Sequence, residues 1–268
     1  MNFLRHYLVA VQFFTRIPIT GALAQWVGYG PALLRASAAH FPGVGWLVGG
    51  VACVTFALLS IVLPGAAFTP LAAAALSTVV TVLMTGGFHE DGLADVADGL
   101  GAGGGRERAL EVMKDSRVGA FGAMALVLAL LAKVSLLAVL AANSATAVLV
   151  ALFTAHVLSR FWPLLLIRML PHVGDEGVSK SKPLADRIST TALAVALGWC
   201  VIPLIVAVRL QGMAFVLAGV VASGLALVYM RRLFARRLQG FTGDCLGATQ
   251  QVCEIAFYLG AAIAFAPR

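Results

Sequence analysis

The chain has 268 residues, of which 60% are hydrophobic and 12% are charged, and its formal net charge is +7. Because soluble domains carry about 25% charged residues, this composition excludes a water-soluble globular domain and predicts a protein embedded in a bilayer. The positive charge suits basic cytoplasmic loops that contact anionic lipid or phosphorylated substrates, rather than a nucleic-acid partner.

The first 19 residues contain an apolar stretch but do not form a convincing signal peptide. Arg16 and Pro18 follow the apolar stretch, where a cleavage site would need small residues. We expect either an amphipathic helix in the membrane interface or a first short membrane element.

Apolar runs long enough to cross a bilayer, which takes about 20 residues, recur along the rest of the chain. They lie near residues 43–63, 69–88, 120–141, 145–167, 190–208, 212–230 and 248–266. Neither a soluble domain nor an internal repeat is evident between them. The sequence therefore predicts an all-α polytopic transmembrane helical bundle of about seven spans, with residues 1–268 forming a single integral membrane domain.

Charged residues lie almost entirely in alternate connections of this topology. Most lysines and arginines fall in the N-terminal segment and in residues 89–119, 168–189 and 231–247. The acidic residues fall in the same segments, except Glu254. Because lysine and arginine mark cytoplasmic loops, we expect this charged side to face the cytoplasm from the bacterial inner membrane.

The most informative stretch is residues 86–100, which contains Asp91, Asp95 and Asp98. Spacings of four and three residues place these carboxylates on one helix face, where like charges repel. A divalent cation would offset the repulsion, and Mg²⁺ takes carboxylate oxygens while sharing its coordination with substrate phosphate. The alternative is a solvated acidic loop or a helix N-cap. The neighbouring His89, the small residues in between and the scarcity of acid elsewhere favour the metal site.

Basic side chains that suit phosphate binding occur in three other places. Lys114 and Arg117 stand three residues apart just before a predicted span, where the alternative is ordinary positive-inside flanking. Arg160 lies within the fourth apolar run and needs a partner there: the acidic cluster, Glu254 or a substrate phosphate. The loop around residues 180–182 could contact phosphate or merely anchor at the surface.

Three ionisable residues of the spans leave alternatives open. Asp244 opens the last predicted span, where it could be an N-cap or a fourth carboxylate of the metal site. Glu254, deeper in that span, is either a functional carboxylate or a protonated, hydrogen-bonded one. Lys133 either has a buried partner or extends to a membrane surface.

Together these motifs resemble the cobalamin synthase family, the adenosylcobinamide-GDP ribazoletransferases of the nucleotide-loop pathway. The resemblance runs almost end to end, and its long central motif at residues 85–95 is highly specific. The other matching segments are residues 14–18, 41–45, 98–99, 113–117, 119, 159–160 and 242–248. Small departures from the family pattern fall at Glu90 and Cys245.

The resemblance implies a transferase of the last steps of cobalamin biosynthesis. α-Ribazole, or its 5′-phosphate, attacks adenosylcobinamide-GDP, GMP leaves, and adenosylcobalamin or its 5′-phosphate forms. Mg²⁺ is the implied cofactor. The implied partners are the two substrates and the lipid bilayer, with no nucleic acid; a homo-oligomer or association with other enzymes of the pathway stays open.

The residue motifs fit this chemistry, which must neutralise charge on a diphosphate and remove a hydroxyl proton. The expected metal ligands are Asp91, Asp95, Asp98 and Asp244. The expected phosphate-binding residues are Lys114, Arg117 and Arg160. The expected proton acceptor is His89 or one of the catalytic aspartates, Asp91 and Asp95.

Two other functions use similar features. A CDP-alcohol phosphotransferase also carries a metal-binding Asp motif at a membrane face, but its DG-x-x-AR pattern requires an arginine where Asp95 follows Ala94. An ion-coupled transporter would have internal symmetry and carboxylates near the bilayer midplane.

Overall fold

The computed structural model describes residues 2–174 and 188–265. Within those ranges every regular element is a helix, apart from an isolated backbone bridge between His172 and Phe241. The all-α fold predicted from the apolar runs is therefore confirmed. The predicted phosphate contact at residues 180–182 lies outside the described residues.

Short helices precede the first long one. They are α1 (Asn2–Phe14), α2 (Gly21–Val27) and α3 (Pro31–Ser37), and a 3₁₀ turn (Ala38–His40) joins α3 to α4 (Phe41–Val62). With 13 residues, α1 is about 20 Å long, which is less than the hydrocarbon thickness of about 30 Å. Of the two alternatives for the N-terminus, α1 therefore suits an interfacial helix.

The remaining helices follow in chain order. They are α5 (Thr69–Thr85), α6 (Phe88–Gly101), α7 (Arg106–Val112), α8 (Ala120–Asn143), α9 (Ala145–Leu158), α10 (Trp162–Met169), α11 (Thr190–Gln211), α12 (Met213–Arg237) and α13 (Gly243–Ile263).

Five helical segments of the described residues are long and apolar enough to cross a membrane, against the seven that the sequence predicts. They are Pro31–Val62, Ala120–Asn143, Ala145–Met169, Thr190–Gln211 and Met213–Arg237. A sixth arises only if α5 and α6 are counted together, and these two helices are bent by 91° at their junction. The second predicted span is thus a broken element, of which α5 is the apolar part.

The last predicted span corresponds to α13, which is not among these apolar segments. Its 21 residues make it about 31 Å long, which is enough to cross the hydrocarbon core. Its hydropathy is lowered by Gln250, Gln251 and Glu254, all of which are buried. We interpret α13 as an internal helix, shielded from lipid by its neighbours.

Small residues bring α13 very close to α12. A Cβ atom on Gly260 would collide with the Ala218 carbonyl, and one on Gly219 would stand 2.7 Å from the Phe257 ring. Close backbone approach through glycine is how helices pack tightly in a membrane, where no hydrophobic effect drives their association. This packing holds α13 in the centre of the bundle, where it also contacts α6, α8, α9 and α10.

The charged connections meet at one end of the bundle, called the charged end below. Arg106 Nε, after α6, donates to the Leu238 carbonyl oxygen at the end of α12 (2.7 Å). The Phe241 backbone N–H, just before α13, donates to the Pro171 carbonyl oxygen after α10 (3.0 Å). The one-sided charge of the sequence is therefore also one-sided in the structure.

Candidate active site

A glycine turn places α6 at the charged end. Gly86 and Gly87 have φ values of 71° and 70°, a left-handed conformation that glycine adopts without steric cost. The Arg16 backbone N–H donates to the Met84 carbonyl oxygen (2.7 Å), and a Cβ atom on Gly86 would collide with the Arg16 side chain. The turn produces the 91° bend that directs α6 away from the axis of α5.

The predicted carboxylate face of α6 is present. Asp91 is exposed, Asp95 is partly buried and Asp98 is buried. Burial, followed by repulsion from Asp244, Asp91 and Asp98, raises the pKa of Asp95 to about 7. Asp91, Asp98 and Asp244, the other aspartates that the sequence predicts as metal ligands, thus all lie within electrostatic range of Asp95.

Asp244 reaches this face because the first turn of α13 rests directly on α6. A Cβ atom on Gly92 would stand 2.7 Å from the Asp244 carbonyl oxygen and 3.0 Å from its Cα atom. The N-cap of α13 is Thr242, whose hydroxyl accepts from the Cys245 backbone N–H. The interpretation of Asp244 as an N-cap is therefore wrong, and its carboxylate, which accepts from the Thr242 hydroxyl (3.2 Å), faces α6.

Asp98 has an additional, structural role. Its Oδ2 atom accepts from the Gly119 backbone N–H (2.7 Å) and its Oδ1 atom accepts from that of Gly122 (2.8 Å). These donors belong to the start of α8, where a negative charge is stabilised by unpaired N–H groups and the helix dipole. Each carboxylate oxygen retains lone pairs, but the side chain is held more firmly than a solvated aspartate.

The predicted magnesium site has a suitable donor set. Among the described residues, no group of three or more His, Cys, Asp or Glu side chains is arranged to hold a metal ion. The carboxylates of Asp91, Asp95 and Asp244 nevertheless have the oxygen donors that Mg²⁺ prefers, and their mutual repulsion favours a cation between them. Occupation requires these side chains to converge, so the magnesium site stays a prediction.

Two of the predicted phosphate-binding residues lie beside this face. Lys114 and Arg117 are exposed in the loop between α7 and α8. This loop ends at Gly119, which Asp98 holds. Arg117 is 86% exposed, and one of its terminal nitrogens lies 2.6 Å from a carboxylate oxygen of Asp115. The basic loop is therefore tethered to the carboxylate face.

Arg160 lies elsewhere, in the protein interior. Its side chain is 2% exposed, one terminal nitrogen donates to the His156 carbonyl oxygen (2.7 Å), and its guanidinium carbon stands 5.8 Å from the centroid of Phe41. Glu254 and Glu90 are the carboxylates that interact with it electrostatically. The structure thus does not bring Arg160 together with Lys114 and Arg117.

His89 points away from the carboxylates. Successive helical residues rotate by about 100°, which turns His89 by about 120–180° from the face shared by Asp91, Asp95 and Asp98. Its side chain is 2% exposed, and the ring stacks on Phe41 at 5.7 Å with an interplanar angle of 9°. The structure therefore does not place His89 where it could take a proton from a substrate at the aspartates.

Sequence reasoning missed a buried polar network around Glu254. Lys133 Nζ lies 2.6 Å from Glu254 Oε1, and both side chains are at most 2% exposed. The interpretations of Lys133 as a residue that extends to the surface and of Glu254 as a protonated side chain are both at odds with this ion pair. Gln250, Gln251 and Tyr258 extend the network. In the sequence, the recurrence of these polar residues and Glu254 on one helix face was the pattern that could have indicated the network.

Comparisons with known proteins agree with these motifs. The family model described as cobalamin-5-phosphate synthase matches residues 6–262. Relatives named adenosylcobinamide-GDP ribazoletransferase include that of Polaromonas naphthalenivorans (strain CJ2), which is 61% identical over 275 residues, covering 98% of this chain and 99% of the relative. That of Albidiferax ferrireducens is 61% identical, covering 98% of this chain and 99% of the relative. That of Leptothrix cholodnii is 46% identical, covering 96% of this chain and 94% of the relative. No solved structure matches the chain.

Proposed function

The chain belongs to the cobalamin-5-phosphate synthase family, and we propose that it is an adenosylcobinamide-GDP ribazoletransferase. It joins α-ribazole, or α-ribazole 5′-phosphate, to adenosylcobinamide-GDP. The structural observation that supports this activity is the carboxylate face of α6 with Asp244 packed against it, at the charged end of the bundle.

The reaction forms one bond and breaks another. A ribose hydroxyl oxygen bonds to the phosphorus that carries the cobinamide, the phosphoanhydride bond to the second phosphorus breaks, and GMP leaves. The hydroxyl proton is released. Such phosphoryl transfers depend on orienting the two reactants and on neutralising negative charge at the phosphoryl oxygens and the leaving group.

Mg²⁺ is the proposed cofactor, held by Asp91, Asp95 and Asp244, with Asp98 contributing from the same face. When bound, the ion would neutralise charge on the diphosphate oxygens. Asp98 also holds the loop that carries the phosphate-binding residues, since it binds the backbone of Gly119. The carboxylates and the basic loop thus form a single structural unit.

The side chains around the diphosphate have distinct roles. Lys114 and Arg117 bind phosphoryl oxygens, and Arg117 exchanges its exposed ion pair with Asp115 for the substrate. One of the two catalytic aspartates, Asp91 or Asp95, accepts the hydroxyl proton through a carboxylate oxygen that does not hold the ion.

The active site faces the cytoplasm from the inner membrane. The basic residues of the charged end support this orientation through the positive-inside rule. Phosphorylated substrates are polar and would reach the site from the cytosol, whereas the apolar helices contact lipid. A periplasmic alkaline phosphatase fused after Gly103 should be inactive and a fluorescent protein fused there should fold; the reverse pattern contradicts the orientation.

Turnover of defined substrates tests the activity. Purified protein in liposomes receives adenosylcobinamide-GDP, α-ribazole and Mg²⁺, and GMP and the cobamide product are quantified. Stoichiometric formation of both is expected. No GMP under conditions in which a related ribazoletransferase turns over would refute the proposal, and CMP release from a CDP-alcohol would favour the phosphotransferase alternative.

A further inference from the structure

The Lys133–Glu254 ion pair is buried between two helices of the bundle. Lys133 belongs to α8 and Glu254 to α13, and neither side chain is more than 2% exposed. Removing two charges from water is costly, and the cost is recovered only when the partners are well paired and their other hydrogen-bonding groups are satisfied. Such a pair strongly disfavours any arrangement of α8 and α13 that separates the two charges.

The carboxylate of Glu254 is saturated by further contacts. Gln250 Nε2 donates to its Oε2 atom (2.6 Å) and the Tyr258 hydroxyl donates to its Oε1 atom (3.0 Å). His156 Nδ1 lies 3.5 Å from Oε2. The orientation of Glu254 is therefore determined by residues of three helices, α8, α9 and α13.

Hydrogen bonds connect this ion pair to α6. Gln251 Nε2 donates to Gln250 Oε1 (3.0 Å) and to Glu90 Oε1 (2.9 Å). Glu90 immediately precedes Asp91, the first aspartate of the carboxylate face. A continuous set of contacts therefore runs from Lys133, through α13, to the first turn of α6.

The polar residues of α13 share a face with Asp244. Gln251, Glu254 and Tyr258 follow Asp244 by 7, 10 and 14 residues, and at about 100° per residue all four directions fall within about 80° of one another. A rotation of α13 that separates Glu254 from Lys133 would consequently also turn Asp244 away from α6.

We propose that the Lys133–Glu254 pair, together with Gln250 and Gln251, is a positioning element of the carboxylate site. It sets the rotation of α13 and thereby keeps Asp244 opposite Asp91. The inference rests on the proposed function only in that these carboxylates are taken to bind Mg²⁺. Glu254 acts at a distance, since ten residues correspond to about 15 Å of helix.

Mg²⁺ binding without substrate tests this role. The full-length protein in detergent is titrated with Mg²⁺, and the half-saturating concentration is obtained from the logarithmic rise of Tm with Mg²⁺ concentration. Lys133→Met and Gln251→Ala should each raise this concentration by about tenfold or more, as substitutions behind metal ligands commonly do. Lys133→Met/Glu254→Gln should lie nearer to the wild type, because it leaves no unpaired charge.

Leu137→Ala is the matched control for a general loss of packing. Leu137 is fully buried and lies one turn after Lys133 on α8, without a charge to pair. Leu137→Ala should lower Tm in the absence of Mg²⁺ and leave the half-saturating concentration within about twofold of the wild type. If Lys133→Met fails to insert into the membrane, Gln251→Ala and the double variant are compared with the wild type instead.

Two results overturn the inference: a Leu137→Ala shift as large as that of Gln251→Ala, or no change of the half-saturating concentration in Gln251→Ala. A wild type whose Tm is insensitive to Mg²⁺ overturns it as well. The transferase assay is independent of these measurements. A protein that binds Mg²⁺ with the expected variant pattern but releases no GMP would refute the proposed activity and leave the positioning role supported.

Discussion

Gly92 and Asp244 touch backbone to backbone: a Cβ atom on the glycine would stand 2.7 Å from the Asp244 carbonyl oxygen. The contact joins two parts of the chain that lie 152 positions apart (244 − 92). It also explains how a carboxylate at the start of α13 comes to face those of α6. The glycine is needed for the close approach of two helices, since its φ is not in the left-handed region.

Gly92→Ala should therefore impair the site by separating α6 from α13. The added methyl group collides with backbone, which cannot move aside as a flexible side chain can, and overpacking of this kind costs about 1–3 kcal/mol. We expect at least about a tenfold loss of kcat/KM, measured as GMP release. Gly198→Ala is the control, because no atom lies within 4 Å of its added Cβ; equal losses in both variants would contradict the argument.

Mg²⁺ binding should weaken as the pH falls through neutrality. Burial and the neighbouring aspartates raise the pKa of Asp95 to about 7, and a protonated carboxyl group does not ligate Mg²⁺. With that pKa, the ionised fraction falls about tenfold between pH 8 and pH 6, so the half-saturating Mg²⁺ concentration should rise by a similar factor. Titrations at both pH values measure it.

Asp95→Asn should weaken this pH dependence, because an amide does not titrate. Asp115→Asn is a suitable comparison. Its hydrogen bond to Arg117 lowers the pKa of Asp115 to about 2, so it stays ionised at both pH values. A wild type with the same Mg²⁺ affinity at pH 6 and pH 8 would refute the prediction.

Asp98→Ala and Asp95→Ala should have opposite effects on stability without Mg²⁺. Asp98 accepts from two backbone N–H groups at the start of α8, and loss of such a cap costs about 1–2 kcal/mol. Asp95→Ala removes a carboxylate whose ionised form is disfavoured by burial and then by repulsion from Asp244, Asp91 and Asp98, and should raise Tm at pH 8. Thermal unfolding of the two variants in the presence of a chelator measures both effects.

The increase in Tm that Asp95→Ala causes at pH 8 should vanish towards pH 4. The folded-state pKa of Asp95 is raised to about 7 from an ordinary value of 3.8. Ionisation therefore destabilises the fold increasingly as the pH rises from about 4 to 7, whereas at lower pH the carboxyl is protonated in both the folded and the unfolded states. A Tm difference that is independent of pH would argue against the ionisation of Asp95 as its cause.

Arg117→Ala should raise the KM for adenosylcobinamide-GDP by about tenfold and leave Tm unchanged. The side chain is 86% exposed and its ion pair with Asp115 is on the surface, where such pairs contribute little to stability. Arg108→Ala is the control, because Arg108 is also exposed and paired, with Glu111 at 2.7 Å, but precedes the basic loop. Similar KM values for the two variants would contradict the assignment of Arg117 as a phosphate-binding residue.

Hydropathy and helical periodicity were enough to predict the fold class and the carboxylate face. The spacing of Asp91, Asp95 and Asp98 determines a shared helix face wherever the helix lies. The same local approach predicted seven spans, whereas five helical segments of the described residues are long and apolar enough to cross a membrane, or six if the bent α5–α6 pair is counted. α13 is long enough to cross a membrane, but its polar residues are hidden by neighbouring helices, and a one-dimensional profile contains no information on those neighbours.

His89 shows that proximity in sequence does not place two side chains on the same face of a helix. It is two residues from Asp91, yet the rotation of about 200° over two helical residues directs it to the opposite side, against Phe41. Arg160 was expected at a phosphate and is buried instead, because its position depends on how α4, α6 and α9 pack.

The sequence by itself determined that this is a helical membrane protein with a row of carboxylates, and the family motif at residues 85–95 indicated the chemistry. Hydropathy, periodicity and motifs depend only on nearby residues. The tertiary structure alone decided that Asp244 joins the row, that Asp98 also caps α8, and that Lys133 pairs with Glu254. These relationships are distances between residues far apart in the chain, and they follow from the packing of helices against one another.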